Sequence, residues 1–257
     1  MKVYKQRWFK IVSIPIAVIL LLFGAFFIYT LDYSRPAGEA LAALEDTVSV
    51  DVREERGMII FSPKENASGT GFAFYPGGKV DYRAYAPLMS DLADQGVTCV
   101  LLKMPFQLAV FDINAASRAI SALPQISKWY VGGHSLGGVM ASTFAASNTD
   151  AVEGIVFLAA YPSGDITESG LRVLSLYGTE DGVLNMDSFK ASKKKAPQGT
   201  IYLEIPGGNH AGFGSYGIQK GDNTALISSD QQRKETTGAI VLFLKEEDPA
   251  AAITQTK

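Results

Sequence analysis

The sequence predicts an α/β protein in which a mostly parallel sheet is covered by helices on both faces and is preceded by one N-terminal transmembrane helix. Strand-like apolar runs and helix-like segments alternate along most of the 257 residues, as is typical of parallel sheets whose strands are connected by helices. A long apolar run precedes this alternation. With 47% hydrophobic residues, the chain can form one sizeable core, so we expect a single globular domain.

The apolar run covers residues 11–31, "IVSIPIAVILLLFGAFFIYTL", and has no charged side chain. As a helix it would be about 31 Å long, which matches the hydrocarbon thickness of a bilayer. By the positive-inside rule, residues 1–10 form a cytoplasmic tail and residues 32–257 lie outside the cytoplasm of a single-pass membrane protein. The tail is basic through Lys2, Lys5, Arg7 and Lys10. A cleaved signal peptide is the alternative, although its apolar region is normally only about 7–15 residues long.

The remaining chain divides into a stalk, a domain and a tail. Residues 32–47 are expected to form a short, partly helical stalk, residues 48–247 the globular domain, and residues 248–257 a C-terminal tail. Strands are predicted over residues 48–54, 57–62, 69–76, 97–104, 128–133, 152–162, 171–178 and 200–207, and helices over 82–96, 114–124, 135–148, 186–196 and 228–247. Only eight residues separate the strand ending at Pro162 from the strand beginning at Leu171, so no cap domain fits there.

Charge limits the partners of the domain. The chain has 23 basic and 26 acidic residues, and removing the four N-terminal basic residues leaves 19 against 26, a net charge of −7. An acidic domain is a poor partner for nucleic acid. Its basic run, Lys193–Lys195, is interpreted as the solvated end of a helix, and Cys99 as a core residue. Neither a metal nor a cofactor is expected.

The stretch "GGHSLGG" follows the predicted strand 128–133 and opens the predicted helix 135–148. The run Gly133-His134-Ser135-Leu136-Gly137 fits the Gly-x-Ser-x-Gly elbow, which holds a nucleophilic serine on a tight strand-to-helix turn. A phosphate-binding loop would need a lysine beside the serine, and none is near. A plain glycine-rich turn remains the alternative. The strand–turn–helix context favours Ser135 as a nucleophile.

A serine nucleophile needs a general base and an acid, which follow it in the order acid, histidine in chains with this elbow. The chain has only two histidines. His134 adjoins the serine, and neighbouring side chains on such a turn point in different directions, so His210, after the last predicted strand, is the candidate base. Asp181, after the strand 171–178, is the candidate acid, and Asp165 is its alternative.

An oxyanion hole would complete such a site. One backbone donor is expected at Leu136, directly after the serine, and the other in the loop after the strand 69–76, from Gly77, Gly78 or Lys79. Glycine allows the backbone to approach a ligand closely. Each donor of this kind typically stabilises the transition state by about 3–4 kcal/mol.

Five segments, in order, resemble the α/β-hydrolase superfamily: "FYPGGKV", "LLKMPF", "GGHSLGG", "LYGTEDGV" and "GGNHAGFG". The resemblance covers about residues 57–245 and is greatest to the compact, uncapped bacterial members near the dienelactone-hydrolase-like group. It implies an α/β-hydrolase sheet and a triad of Ser135, Asp181 and His210. Dienelactone hydrolases proper use a cysteine nucleophile, so a serine at this position favours ordinary esters over lactone ring opening.

The sequence therefore predicts a membrane-anchored, extracytoplasmic serine hydrolase, a carboxylesterase that acts on short or medium acyl esters through an acyl-enzyme. Aromatic side chains could form the apolar walls of an open site, with core packing as the alternative; the candidates are Phe106, Phe111, Tyr161, Phe213 and Tyr216. Its expected partners are a small-molecule ester and, through the N-terminal helix, a membrane. Two other functions remain open: an acyltransferase on envelope polymers and a non-catalytic binding protein on a hydrolase fold.

Overall fold

The protein was analysed as a computed structural model, which describes residues 2–254 and, for residues 2–12, the backbone alone. The chain forms two compact units, one up to Tyr33 and one from Ser34 on. The first unit is helix α1, Lys2–Leu31. It begins within the expected basic tail, because no residue between 2 and 10 is a helix breaker. Over residues 13–31 its mean hydropathy is 2.5, so it could cross a membrane, although a signal sequence would have the same composition.

The second unit is built on a sheet whose described strands are ordered β1-β2-β4-β3-β5-β6-β7-β8. Strand β2 runs antiparallel to both β1 and β4, and the other pairs are parallel. The strands are β1 Val50–Glu55, β2 Met58–Pro63, β3 Thr70–Tyr75, β4 Thr98–Leu102, β5 Lys128–His134, β6 Gly154–Leu158, β7 Arg172–Gly178 and β8 Ile201–Ile205. The mostly parallel sheet predicted by the alternation is confirmed.

Helices cover both faces of this sheet. They are α2 Gly38–Ala42, α3 Ala86–Asp94, α4 Ala116–Ala122, α5 Leu136–Ala146, α6 Met186–Ser192 and α7 Ser229–Leu244. Phe72 and Phe74 of β3 point into one core with α3 and α7, whereas Ala73 and Tyr75 point into a second core with α4 and α5. Successive strand residues face opposite sides, and every residue of β3 is buried, so β3 is covered on both faces.

The expected stalk and C-terminal tail differ from the structure. Ser34 pairs with Val80, the N–H of Ala37 donates to the carbonyl of Ser215, and Ala40 of α2 is fully buried. At the other end, Pro249 is buried and Ile253 packs against the core of α3 and α7; residues 255–257 lie outside the described part. Both segments pack onto the domain, because backbone groups and apolar side chains within them find long-range partners.

The carboxyl ends of the parallel strands carry the loops in which the candidate site residues were predicted. Strand β5 runs directly into α5, and the loops after β7 and β8 carry Asp181 and His210. Between β6 and β7, residues 159–171 contain neither helix nor strand. No cap domain is therefore inserted at this point, as the short spacing predicts.

Candidate active site

Ser135 occupies a strained turn between β5 and α5. Its backbone has φ 51° and ψ −124°, a conformation that residues other than glycine rarely adopt. The strand before it and the helix after it fix this conformation, and its N–H donates to the carbonyl of Leu158 at 2.9 Å. The strain therefore sets Ser135 at the tip of the turn, at the carboxyl edge of the sheet, where ligands of α/β proteins bind.

The glycines around Ser135 are required by close backbone packing. A Cβ atom at Gly133 would lie 2.5 Å from the carbonyl oxygen of Tyr75, and one at Gly137 would lie 2.2 Å from the same oxygen. Both distances are too short for any side chain. The end of β3 thus passes directly beside the turn, and this close approach explains the glycine-rich sequence.

His210 and Asp181 form a buried pair. Nδ1 of His210 lies 2.8 Å from Oδ2 of Asp181, and the two side chains are 2% and 1% exposed. The other carboxylate oxygen accepts the N–H groups of Val183 at 2.8 Å and Leu184 at 2.7 Å. A carboxylate only accepts hydrogen bonds, so we assign the hydrogen to Nδ1 of His210, and Nε2 is left as an acceptor.

Nε2 of His210 is buried and has no hydrogen-bond partner among the described residues. The His210 ring packs on the ring of His134, with centroids 4.4 Å apart, and His134 directly precedes Ser135. The structure therefore brings the histidine loop, its aspartate and the serine turn to one edge of the sheet. An unpartnered imidazole nitrogen at such a position can accept a proton from a hydroxyl group.

Asp165, the alternative acid, has other partners. Its carboxylate accepts the N–H of Thr167 at 3.0 Å and the hydroxyl of the same residue at 2.7 Å. These hydrogen bonds lower the pKa of Asp165. The side chain is exposed and stabilises its own turn, so the structure pairs Asp181, and not Asp165, with His210.

His134 belongs to a separate hydrogen-bond network. Its Nδ1 lies 2.8 Å from the hydroxyl of Tyr85, which accepts the N–H of Gly77 at 3.1 Å. Burial raises the pKa of Tyr85, although the Gly77 N–H opposes this shift, so the hydroxyl keeps its hydrogen, and we assign that hydrogen to the bond with Nδ1 of His134. Burial and then the neighbouring His210 lower the pKa of His134 well below its usual value, so His134 is neutral.

The candidate oxyanion donors differ in how their N–H groups are used. The N–H of Gly77 donates to Tyr85 and that of Lys79 to the carbonyl of Gln107 at 2.8 Å. Among the described residues, no hydrogen bond uses the N–H of Gly78, and Leu136 opens α5, where an N–H has no partner within the helix. A Cβ at Gly78 would lie 3.0 Å from the Leu136 side chain, so Gly78 and Leu136 are neighbours.

Comparison with known proteins agrees with the fold. A model of the alpha/beta hydrolase family matches residues 71–234, well over half of the chain. The chain belongs to the alpha/beta hydrolase family. This finding confirms the superfamily that the ordered motifs predicted. Curated protein sequences give no significant match.

Two solved structures resemble this hydrolase in fold. A predicted CIB-like hydrolase from Thermoplasma acidophilum has a TM-score of 0.54 at 16% identity, over 77% of this chain and 99% of the other. Est1E from Butyrivibrio proteoclasticus has a TM-score of 0.54 at 15% identity, over 77% of this chain and 98% of the other. At these identities the likeness shows the fold alone, so the substrate of the hydrolase has to be argued from its site.

The five aromatic residues predicted as walls have different surroundings in the hydrolase. Phe106 and Phe111 are 40% and 50% exposed, and their rings meet edge to face with centroids 5.6 Å apart. Phe213 and Tyr216 are buried in the core and pack on His134, as the core alternative expects. Tyr161 packs against the small cluster of Tyr177, Leu184 and Phe189.

Three residues near the candidate site were not predicted from the sequence. Tyr85 holds Gly77 and His134 together. Leu108 lies against Gly78, since a Cβ there would be 3.6 Å from its Cδ2. Asp222 accepts the N–H of Ala211, next to His210. Tyr85 and Leu108 occupy ordinary apolar positions in the sequence, and Asp222 lies in a loop whose apolar residues have no regular spacing. No local sequence pattern therefore indicates a role for these three residues.

Proposed function

We propose that this hydrolase is a serine carboxylesterase that cleaves short or medium acyl esters through an acyl-enzyme. The observation that supports it best is the buried His210–Asp181 pair at 2.8 Å, in which Nε2 of His210 has no partner among the described residues and the ring packs on His134, the residue before Ser135. This arrangement has the three parts that nucleophilic catalysis by serine requires: a nucleophile, a base, and a group that orients the base.

In the proposed acylation step, Nε2 of His210 takes the proton of the Ser135 hydroxyl while Oγ forms a bond to the ester carbonyl carbon. The negative charge that develops on the carbonyl oxygen is stabilised by the N–H groups of Gly78 and Leu136. The tetrahedral intermediate then expels the alkoxide, which receives the proton from His210. Asp181 keeps the imidazole in the required tautomer and stabilises its cationic form.

In the proposed deacylation step, a water molecule replaces the alcohol. His210 takes one proton of the water, the hydroxide attacks the acyl carbon, and Ser135 leaves with the proton returned by His210. An acyltransferase would use the same steps with an alcohol in place of water. Nothing in the described residues favours an alcohol over water, so hydrolysis is the proposed reaction.

The proposed substrate class follows from the surroundings of the site. Residues 159–171 add no cap, and the segment after β4 brings Leu108 to Gly78 together with the partly exposed Phe106 and Phe111. Apolar side chains beside an uncapped site suit a short or medium acyl chain. We further propose that α1 anchors the protein in the cell membrane with the catalytic domain outside the cytoplasm, because basic residues precede the apolar run.

A serine-directed fluorophosphonate probe and a panel of p-nitrophenyl esters of increasing chain length test this proposal on the full chain in detergent. The wild type should be labelled at Ser135 and hydrolyse esters, with a preference for short or medium acyl groups. Ser135→Ala should abolish both labelling and hydrolysis. Equal labelling of the wild type and Ser135→Ala, or a wild type inert toward every ester, would contradict the proposal. Products formed with an added alcohol distinguish transfer from hydrolysis.

A further inference from the structure

Asp222 connects the two loops that carry Asp181 and His210. It lies between β8 and α7, in the loop that follows His210. Its Oδ1 accepts the N–H of Gly182 at 3.0 Å, and its Oδ2 accepts the N–H of Ala211 at 2.8 Å. Gly182 directly follows Asp181, and Ala211 directly follows His210. One carboxylate thus holds the residues next to both members of the buried pair.

Two other hydrogen bonds join the same two loops. The N–H of Glu180 donates to the carbonyl of Gly208 at 2.8 Å, and the N–H of Gly207 donates to the hydroxyl of Thr179 at 2.8 Å. These bonds lie on the strand side of Asp181 and His210, whereas the Asp222 bonds lie on the far side. The pair is therefore held from both sides, and removing Asp222 would leave one side open.

The turn that contains Asp222 fits closely against the acid loop. A Cβ atom at Gly182 would lie 2.8 Å from both the N atom of Asn223 and the carbonyl oxygen of Gly221. Asn209 strengthens this contact, because its Nδ2 donates to the carbonyl of Asn223 at 2.7 Å. A cavity of about 540 Å³ is lined by Asp222 and Asn209 but not by Ser135, so the turn borders open space, and its hydrogen bonds to Gly182 and Ala211 help to hold it.

We infer that Asp222 is a positioning residue, which sets the distance and orientation between Asp181 and His210 and so aims Nε2 of His210 at Ser135. The inference rests on the proposed function, because it assigns the orientation of Nε2 a role in catalysis. A carboxylate is needed since both oxygens accept a backbone N–H. An asparagine could accept only one of them and would turn an NH₂ group toward the other.

The kinetic test compares Asp222→Asn with Asp165→Asn in the full-length protein in detergent. Asp165 is a matched control, because its carboxylate also accepts a backbone N–H but only within its own exposed turn. For Asp222→Asn, kcat should fall about 10- to 100-fold with little change in KM, since a small misplacement of the base affects the transition state and not substrate binding. Asp165→Asn should keep wild-type kcat. Asp222→Glu, which keeps two acceptor oxygens, should be faster than Asp222→Asn.

A spectroscopic test does not depend on activity. The hydrogen between Nδ1 of His210 and Asp181 should give a downfield proton resonance, assigned by its loss in His210→Gln. In Asp222→Asn this resonance should shift or broaden, whereas in Asp165→Asn it should remain in place. A wild-type resonance in a folded Asp222→Asn, or equal kcat values for the two asparagine variants, would overturn the inference. If the wild type hydrolyses no ester and resists the serine probe, the proposed function fails, while the resonance still tests whether Asp222 positions the pair.

Discussion

The two histidines lie side by side, with ring centroids 4.4 Å apart, and both are buried, yet their Nδ1 atoms have partners of different chemistry. Nδ1 of His210 donates to the carboxylate of Asp181, whereas Nδ1 of His134 accepts the hydroxyl hydrogen of Tyr85. A carboxylate stabilises a protonated imidazole, and a buried phenol does not. Equal burial therefore does not give the two rings the same surroundings, because only His210 has a carboxylate at Nδ1.

The largest expected effect separates the two histidines by activity. His210→Gln removes the proposed base and should lower kcat/KM for esters by at least about 10⁴-fold. His134→Gln removes the acceptor of the Tyr85 hydroxyl and a ring that packs on His210, and it should lower kcat/KM by about 10-fold, equivalent to about 1.4 kcal/mol. Rates measured at saturating and limiting ester concentrations check this difference. Losses of equal size in the two variants would mean that the two rings do not have the separate roles assigned to them.

A second prediction concerns the connection between His134 and the Gly77 loop. Tyr85→Phe deletes the hydroxyl that partners both the Gly77 N–H and His134, and it leaves two buried polar groups unsatisfied. The free energy of unfolding should fall by about 1–3 kcal/mol, measured by denaturant unfolding. Because the freed Gly77 loop also carries Gly78, kcat should fall by about 10-fold.

Tyr75→Phe is the matched control for this prediction. The Tyr75 hydroxyl is also buried in a two-bond network, donating to the carbonyl of Ile113 at 2.7 Å and accepting the N–H of Ala116 at 3.0 Å. These partners lie in the second core, which contains neither histidine. The control should lose a similar amount of stability and keep wild-type kcat. If both variants lose activity equally, Tyr85 acts on the domain as a whole and not on the Gly77 loop.

How much of the candidate site the sequence predicts depends on how local each feature is. The serine turn is encoded in consecutive residues, so the spacing of Gly133 and Gly137 around Ser135 indicates it directly. The alternation of strands and helices likewise predicts the sheet, since the spacing of apolar residues within one segment indicates whether that segment is a strand or a helix. The order of β1 to β8 in that sheet, by contrast, is not contained in the alternation.

Contacts between distant segments were not predictable in this way. Tyr85 and His134 are 49 positions apart, and Tyr85 fits an ordinary apolar position of the predicted helix 82–96. Ser34 was assigned to a stalk because nothing near it indicates that it pairs with Val80. Asp222 meets Gly182 from 40 positions away, in a loop whose conformation follows from packing and not from periodicity.

The smallest expected effect sharpens the same comparison through pH. The pKa of His134 in the folded protein is well below its usual value of 6.5 because the ring is buried and faces His210. Below about pH 6.5 the unfolded chain therefore binds a proton at this residue that the folded protein does not bind. The free energy of unfolding should fall as the pH decreases from 7 to 5, by up to about 1.4 kcal/mol per pH unit from this group. In His134→Gln the slope in this range should be smaller by that contribution, and denaturant unfolding at several pH values measures it.

The carboxyl groups of the unfolded chain titrate near pH 4, so they affect the slope mainly below this range. Parallel slopes in the wild type and the variant would show that the folded protein binds a proton at His134 as readily as the unfolded chain does, which would remove the contrast with His210.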